Sequence, residues 1–154
     1  MTLLPDNLDF YEACAAISPS ISLEDRYAEP WRAYHNRLHI TELQEHLLAA
    51  EQDAVIIQDG AAALAFVLWH DAIYDPMAPH GRNETLSAQL CSHEFGKIAG
   101  ATSVFRAVDA IMATISHTLE GEGGNPDAPL LLDCDLAILG SDPERFAEYD
   151  AAIR

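Results

Sequence analysis

The chain has 154 residues, 49% hydrophobic and 21% charged, which is a typical composition for one globular domain over residues 1–154 with a buried core. Its formal net charge of −17 repels nucleic-acid backbones and anionic membranes, so we expect neither a long nucleic acid nor a membrane as partner. No apolar run approaches the roughly 18 residues that span a membrane, and the N-terminus lacks the basic start and apolar stretch of a secretory signal, so we expect a cytoplasmic protein.

The predicted elements, taken in chain order, are helices separated by short turns. Apolar residues recur with helical spacing, and the segments between them contain Pro, Gly, Ser and Asn, which interrupt helices. We expect helices over residues 6–17, a short one from 22, and then 36–51, 60–74, 83–98, 102–118, 130–139 and from 142 onward. The expected N-caps are Ser22, Asn83 and either Thr102 or Ser103, and Gly100 is expected to end the helix over 83–98.

These elements predict an all-α fold. No segment alternates apolar and polar residues over several strands, so nothing indicates a sheet. The helix that begins with GAAALAFVLW is apolar on nearly every face, which is typical of a helix in the centre of a core. We therefore expect a helical bundle built around this segment.

Three segments carry histidine or aspartate side chains that could bind a metal, and the third is otherwise apolar. YHNRLHI contains His35 and His39, WHDAIYD contains the adjacent His70 and Asp71, and LLLDCDLAILG contains Asp135. Neighbouring residues on a helix point about 100° apart, so a metal bound by both His70 and Asp71 must lie at a helix end. Buried imidazoles and carboxylates are costly unless something pairs with them, and a divalent cation does so for both. Mixed His and Asp ligands suit Mn, Fe, Co, Ni or Zn.

The order of these residues resembles a known signature. His39, then His70 and Asp71, then Asp135 is similar to the H…HD…D pattern of the HD superfamily of metal-dependent phosphohydrolases. The wider set YHNRLHI, WHDAIYD, NETLSA, IMATISH and DCDLAILG, from about residue 32 to 140, resembles one HD-type subfamily of predicted phosphohydrolases. The resemblance implies an HD-domain helical bundle in which these four residues bind a divalent metal ion: Mn, Fe, Co, Ni, Zn or Mg.

The resemblance also implies an activity and a mechanism. The expected reaction is hydrolysis of a phosphate ester in a small phosphorylated substrate, a nucleotide above all, by water that the metal activates. Asp71 is expected to be both a ligand and a proton acceptor for that water. Glu84, in NETLSA one loop after the HD pair, is the other candidate base, although it also fits as an ordinary residue of a first helical turn.

Four further residues are candidates for substrate binding. His35 and His117 are expected to contact the phosphate, and His117 lies in a segment where some HD proteins bind a second metal. Arg37 and Arg82 are the basic residues nearest to the motifs in sequence, and either could hold a second phosphate or a carboxylate. Asp133 is expected either to orient a ligand histidine or to cap the start of its helix.

Three other functions remain open from the sequence. A non-catalytic nucleotide-binding or regulatory HD domain would keep the metal without the reaction. A di-iron oxygenase of HD type would need additional ligands, such as His117 with Glu84. A purely structural metal site would fill every coordination position with protein ligands and leave none for water.

The last predicted helix is still unfinished at Arg154, whereas proteins with this pattern usually continue with further helices. We therefore expect either a short protein or a fragment truncated at its C-terminus. Without further helices, the side chains of Phe146, Tyr149 and Ile153 would be exposed and could support a homodimer.

Overall fold

The structure, a computed structural model, describes residues 3–5, 8–119 and 124–154. The helices in these ranges are α1 (Phe10–Ala16), α2 (Ile21–Tyr27), α3 (Arg37–Gln52), α4 (Gly60–Trp69), α5 (Arg82–Phe95), α6 (Ala101–Ala113), α7 (Ala128–Asp135), a 3₁₀ helix (Ala137–Gly140) and α8 (Pro143–Ile153). No strand occurs in the same ranges, so the predicted all-α fold is confirmed. None of these helices combines the length and apolarity that crossing a membrane requires. The HD type of the bundle stays a prediction.

Helix α4 lies in the centre of the core, as its apolar composition predicts. All ten of its residues are buried, and it packs against α1, α3, α5 and α6. Burying one large apolar side chain contributes about 1.5–3 kcal/mol to folding, so the contacts of α4 with four neighbours are a major source of stability. The same contacts fix the position of its C-terminal end, where His70 is the C-cap.

Helix α1 begins later than the sequence predicts, and α2 begins earlier. Helix α1 starts after Asp9, whose carboxylate accepts a hydrogen bond from a backbone N–H at the capping-box position; positions 6 and 7 of the predicted helix lie outside the described residues. The N-cap of α2 is Ser20, whose hydroxyl accepts from the N–H of Leu23 at 3.2 Å. The prediction of Ser22 as the cap was wrong, because Ser20 offers the same hydroxyl two residues earlier.

The boundary between α5 and α6 also differs from the prediction. Helix α5 ends at Phe95, and Gly100 is the N-cap of α6 rather than the end of the preceding helix. Neither Thr102 nor Ser103 caps α6, since both lie inside it. The Ser103 hydroxyl instead donates to the buried carboxylate of Asp59 at 2.8 Å, so a tertiary contact takes the place of the expected cap.

The turn that follows α4 begins earlier than expected. Helix α4 ends at Trp69, and α5 begins after Gly81, whose φ of 76° lies in the left-handed region that favours glycine. Asn83 is therefore not an N-cap. Its side-chain oxygen accepts from the N–H of Asp75 at 3.1 Å, and its amide donates to the Asp75 carbonyl at 3.0 Å, which closes the loop between the two helices.

A buried carboxylate fixes the start of α7 to the start of α4. The two oxygens of Asp127 accept from the N–H groups of Gln58 and Asp59 at 2.8 and 2.9 Å. Asp127 is 4% exposed, so these hydrogen bonds satisfy a charge that would otherwise be costly to bury. This contact places the helix that ends at Asp135 beside the central helix.

Helix α8 packs against the N-terminal part of α3 and the segment before it. The Arg145 guanidinium donates to both oxygens of Glu42, at 2.8 and 2.9 Å. The ring of Tyr149 contacts the ring of Tyr34 edge to face, with centroids 4.6 Å apart. These two contacts hold the helix over the residues that precede and begin α3.

Two of the three apolar side chains expected to be exposed near the C-terminus are so. Phe146 and Ile153 are 39% and 50% exposed, whereas Tyr149 is partly covered by its contact with Tyr34. The homodimer that such a surface could support stays a prediction.

Gly60 offers a test of how closely α1 approaches α4. A Cβ atom at this position would lie 2.3 Å from the backbone carbon and oxygen of Asp9, so the backbone would have to move. We expect Gly60→Ala to lower the free energy of unfolding by about 1–3 kcal/mol, measured by urea denaturation. Gly140→Ala is the control, because its Cβ would meet nothing within 4 Å and should change stability by less than about 0.5 kcal/mol. Equal effects of the two substitutions would contradict this packing.

Candidate metal centre

Three helices bring four of the predicted site residues together. His39 lies in the first turns of α3, His70 is the C-cap of α4 with Asp71 directly after it, and Asp135 is the last residue of α7. Helix α3 packs against both α4 and α7, so residues that are up to 96 positions apart in sequence meet at one point. The adjacent His70 and Asp71 lie at a helix end, as the geometry of neighbouring residues requires.

The nitrogen and oxygen atoms of this cluster approach one another closely. Nε2 of His39 lies 3.1 Å from Nε2 of His70 and 3.0 Å from Oδ1 of Asp135. Nε2 of His70 lies 3.3 Å from the same Oδ1. Oδ2 of Asp71 lies 3.1 Å from Nε2 of His70 and 3.6 Å from Nε2 of His39. These four residues form the cluster referred to below as the His–Asp cluster.

These spacings fit the edges of a metal coordination shell. With metal–ligand bonds of about 2.1 Å, neighbouring donor atoms are about 3.0 Å apart in an octahedral shell and about 3.4 Å apart in a tetrahedral one. The observed separations of 3.0 to 3.6 Å span this range. The donors of His39, His70 and Asp135 lie within 4.8 Å of one another, as do those of His35, His39 and Asp71. The residues present can therefore hold a divalent cation.

The close approach of the two imidazoles requires a proton or a cation between them. Two ring nitrogens 3.1 Å apart can share one proton at most, because two N–H groups at that distance would point at each other. Both imidazoles are buried, with side chains 3% and 1% exposed, so water cannot separate them. A cation accepts both lone pairs and neutralises the carboxylates of Asp71 and Asp135 at the same time.

The charges of the cluster shift the pKa values of its members. Burial alone would lower the pKa of His70, but the carboxylates of Asp71 and Asp135 outweigh it and hold that pKa well above its usual value. Burial would raise the pKa of Asp71, yet the charge of His70 and the hydrogen bond from His35 keep it well below its usual range. Burial likewise opposes the low pKa of Asp135, which His70 and His117 maintain. The negative charge that raises the pKa of His70 is the same charge that would attract a cation.

The backbone of α4 orients the ring of His70. Its Nδ1 lies 3.1 Å from the carbonyl oxygen of Phe66 and 3.3 Å from that of Val67. A carbonyl only accepts, so Nδ1 carries the proton that is donated to it, and the lone pair of the neutral ring is on Nε2, which faces the cluster. The ring of Phe66 stacks on the imidazole with centroids 4.9 Å apart. Such orienting contacts are typical of metal-binding histidines.

Two more histidines flank the His–Asp cluster on its exposed side. Nδ1 of His35 lies 2.8 Å from Oδ2 of Asp71, and Nε2 of His117 lies 3.2 Å from Oδ2 of Asp135. Their side chains are 34% and 33% exposed, so solvent and small molecules can reach both rings. His117 has a φ of 51°, in the left-handed region that residues other than glycine seldom adopt. The hydrogen bond with Asp135 raises the pKa of His117 above its usual value.

Three predicted site residues do not contact the His–Asp cluster. Glu84 is half-buried and belongs to neither possible ligand group of the described residues, although its charge contributes to the raised pKa of His117. Arg37 is exposed and lines a separate cavity of about 150 Å³ beside Tyr27. Arg82 is exposed at the first residue of α5. Their roles in catalysis and substrate binding stay predictions.

The sequence predicts that Asp133 either orients a ligand histidine or caps a helix, but the structure supports neither role. Its side chain is exposed. It lies inside α7, two residues before Asp135, and so caps no helix start. The histidine-orienting role that was predicted for it belongs instead, for His70, to the carbonyls of Phe66 and Val67.

Arg32, which is not among the residues that the sequence predicts, is buried beside the cluster. Its guanidinium donates to the carbonyl oxygens of His35 at 2.9 Å, Asp71 at 2.7 Å and Ala72 at 3.0 Å. Arginine is almost never fully buried without partners, but burial of a single arginine in a loop leaves no periodic signal. The one signal in the sequence is that Arg32 lies only three residues before His35, close to a predicted site residue.

A cavity of about 730 Å³ lies beside the loop that carries His117. Its lining includes Ser116, Thr118 and Asp109, but no member of the His–Asp cluster. Cavity size alone would favour this recess as a binding site. The His–Asp cluster is the stronger candidate, because among the described residues it combines buried charge, close donor atoms and partial access to solvent.

Comparison of the chain with known proteins gives no relative from which to carry over a function. No family model, no curated protein and no solved structure matches it. The chemistry therefore has to be argued from the donor atoms themselves. Two imidazoles and two carboxylates that meet at one point, with two half-exposed histidines beside them, suit a divalent cation that keeps access to solvent.

The ligand assignment predicts which aspartate of α7 is needed for metal binding. We expect Asp135→Ala to lose most of its bound metal, because the substitution removes a carboxylate whose oxygen lies within 3.3 Å of both imidazoles. Metal content is measured by mass spectrometry after incubation with Mn²⁺, Co²⁺, Ni²⁺ or Zn²⁺ and desalting. Asp133→Ala is the matched control, since Asp133 is exposed on the same helix and should keep full metal content. Unchanged metal content in Asp135→Ala would refute the assignment.

Metal binding is also expected to release protons. Because the carboxylates raise the pKa of His70, the metal-free protein carries a proton on this imidazole at neutral pH, and a cation must displace it. Affinity should therefore rise with pH as long as the pH is below that raised pKa, with release of about one proton per ion. Calorimetric titration in buffers of different ionisation enthalpy measures the number released. Binding without proton release, at an affinity independent of pH, would contradict this description of the site.

Proposed function

We propose that this chain is a metal-dependent phosphohydrolase of the HD type that cleaves the phosphate ester of a small molecule, with nucleotides as the favoured class. The observation that carries the proposal is the convergence of His39, His70, Asp71 and Asp135 at one point with metal-ligand spacing. These four residues occur in the chain in the order of the H…HD…D signature. Neither fact depends on the other, and both favour the same chemistry.

The cation has a definite role in this reaction. When bound, it would polarise a phosphoryl oxygen and lower the pKa of a water molecule towards neutrality. It would also neutralise the carboxylates of Asp71 and Asp135, in a protein whose net charge of −17 otherwise repels phosphate.

Asp71 is the residue best placed to accept a proton from the attacking water. Its Oδ2 faces the cluster and lies 2.8 Å from Nδ1 of His35, so the carboxylate is oriented. Its low pKa keeps it ionised but makes it a weak base, so it would have to pass the proton on. His35 can pass that proton to solvent, since about a third of its side chain is exposed. Glu84 stays a second candidate base, without a contact to the described members of the cluster.

His35 and His117 are suited to bind the phosphate. They lie on either side of the cluster, each in contact with one carboxylate, and each has about a third of its side chain exposed. Imidazole N–H groups donate to phosphate oxygens, and the raised pKa of His117 favours its charged form near neutral pH. Since Arg37 and Arg82 lie outside the cluster, the arrangement suits a single phosphate, as in a phosphomonoester, better than a triphosphate.

The alternatives are supported less well by the same geometry. A di-iron oxygenase would need a second, separate set of ligands. The second possible group of the described residues, His35, His39 and Asp71, shares His39 with the first, and neither group includes Glu84. A purely structural metal would have its ligands enclosed, whereas Asp71 and Asp135 are 19% and 12% exposed. A regulatory domain that binds a nucleotide without turnover differs from the proposal only in its activity.

A panel of phosphate esters tests the activity directly. We expect hydrolysis of one or more nucleoside monophosphates or other small phosphomonoesters in the presence of Mn²⁺, Co²⁺, Ni²⁺, Mg²⁺ or Zn²⁺. Asp71→Ala should lower kcat/KM by about 10²–10⁴-fold, as removal of a general base does. His117→Gln should lower it by roughly 10–100-fold, because a charged hydrogen bond to phosphate is lost. Phosphate release is measured colorimetrically at several pH values.

Two comparisons make this experiment decisive. Glu84→Gln should stay within a few-fold of the unsubstituted protein if Asp71 is the base, and should fall as far as Asp71→Ala if Glu84 is. If the unsubstituted protein and Asp71→Ala are equally inactive with every metal and substrate, the hydrolase proposal fails. Tight retention of a nucleotide without turnover would support the regulatory alternative.

A further inference from the structure

Arg32 is a buried cation beside the His–Asp cluster, and its partners are mainly backbone carbonyls. It is 5% exposed. One terminal nitrogen, Nη1, donates to the carbonyl oxygens of His35 and Asp71 at 2.9 and 2.7 Å, and the other, Nη2, donates to that of Ala72 at 3.0 Å. Its Nε donates to the carboxylate of Glu29 at 2.9 Å. The guanidinium therefore links the segment before α3 to the segment after α4.

These contacts lie at the C-terminal end of α4 and in the turn that follows it. The last carbonyls of a helix have no N–H within the helix to accept from. The hydroxyl of Tyr27 donates to the carbonyl of Leu68 at 2.8 Å, and Arg32 donates to those of Asp71 and Ala72. Arg32 therefore holds the chain at Asp71 and Ala72, whereas the hydroxyl of Tyr27 holds a carbonyl within α4.

The geometry of the contacts requires a guanidinium rather than an ammonium. The guanidinium carbon lies 5.0 Å from the ring centroid of Tyr27 and 5.5 Å from that of Tyr74, so two aromatic rings border it. Its flat fork reaches three carbonyls that belong to two chain segments. Lysine carries the same charge on a single nitrogen and cannot reproduce this fork.

We propose that Arg32 is a positioning residue for the metal site: by donating to the carbonyls of both His35 and Asp71, it sets the distance between the two backbones whose side chains meet at the cluster. The consequence is the 2.8 Å contact between Nδ1 of His35 and Oδ2 of Asp71. Arg32 itself touches neither metal nor substrate in this proposal. The inference rests on the metal binding of the proposed function, but not on phosphohydrolase activity.

The test is metal binding by the full chain with Arg32→Lys, compared with Tyr27→Phe. Tyr27→Phe removes the hydroxyl that donates to the carbonyl of Leu68 but keeps the ring beside the guanidinium. It therefore measures the effect of leaving a carbonyl of α4 without its donor while the contacts of Arg32 stay intact. We expect Arg32→Lys to weaken the Kd for Co²⁺ by about 10–100-fold, as loss of a group that orients ligands does. Its visible Co²⁺ absorption should change as the ligand geometry changes. Tyr27→Phe should lower Tm but leave the Kd and the spectrum unchanged.

A second pair of variants tests the positioning role of Arg32 if Arg32→Lys does not fold. Glu29 and Glu148 each pair with an arginine three residues away, and both are partly or largely exposed, at 25% and 72%. Glu29→Ala frees one side of the Arg32 guanidinium and should weaken the Co²⁺ Kd several-fold. Glu148→Ala removes one partner of Arg145, which stays paired with Glu42 and contacts no residue of the His–Asp cluster. This variant should leave the Kd unchanged.

Each outcome has a distinct meaning. A weakened Kd and an altered spectrum in Arg32→Lys, or a weakened Kd in Glu29→Ala where Arg32→Lys is unfolded, support the positioning role. An unchanged Kd and spectrum in folded Arg32→Lys overturn the positioning role and leave Arg32 a structural residue. If Arg32→Lys is unfolded, an unchanged Kd in Glu29→Ala overturns the role in the same way. If the unsubstituted protein binds no Co²⁺, the metal site itself fails, and this inference fails with it.

Discussion

The approach of two buried imidazole nitrogens to 3.1 Å, with a carboxylate oxygen within 3.3 Å of both, is the constraint on which the account of this molecule depends. Burial would normally keep such groups apart or force them to lose their charge. Here the carboxylates of Asp71 and Asp135 raise the pKa of His70, and the same negative field favours a divalent cation. In a protein with a net charge of −17, the bound cation would neutralise these two carboxylates and remove the local charge that repels phosphate.

The fold supplies rigidity where this constraint requires it. Helix α4 is buried along its whole length, so its C-terminal end has little freedom to move. Asp127 ties the start of α7 to the start of α4, and Arg32 ties the segment before α3 to the chain after α4. The residues of the His–Asp cluster therefore come from elements that are fixed to one another outside the cluster, as precise positioning of a site demands.

The sequence predicted the helices and the residues of the His–Asp cluster better than the boundaries and the supporting contacts. The apolar period indicated α3, apolarity on nearly every face indicated α4, and the H…HD…D order indicated that His39, His70, Asp71 and Asp135 would meet; their binding of a metal stays a prediction. Helix starts were predicted less well, because several hydroxyls offer similar caps and a tertiary partner decides between them; Ser103, which donates to Asp59 rather than capping α6, is the clearest case. Arg32 could not be predicted from periodicity, since its partners are backbone carbonyls distant in sequence.

The most direct test of the central claim is the anomalous diffraction of crystals loaded with Co²⁺ or Mn²⁺. The account predicts one strong anomalous peak at full occupancy, about 2.0–2.3 Å from Nε2 of His39 and His70 and from one oxygen each of Asp71 and Asp135. A well-ordered structure with no anomalous peak among these four residues, under conditions in which the cation occupies sites elsewhere, would contradict it.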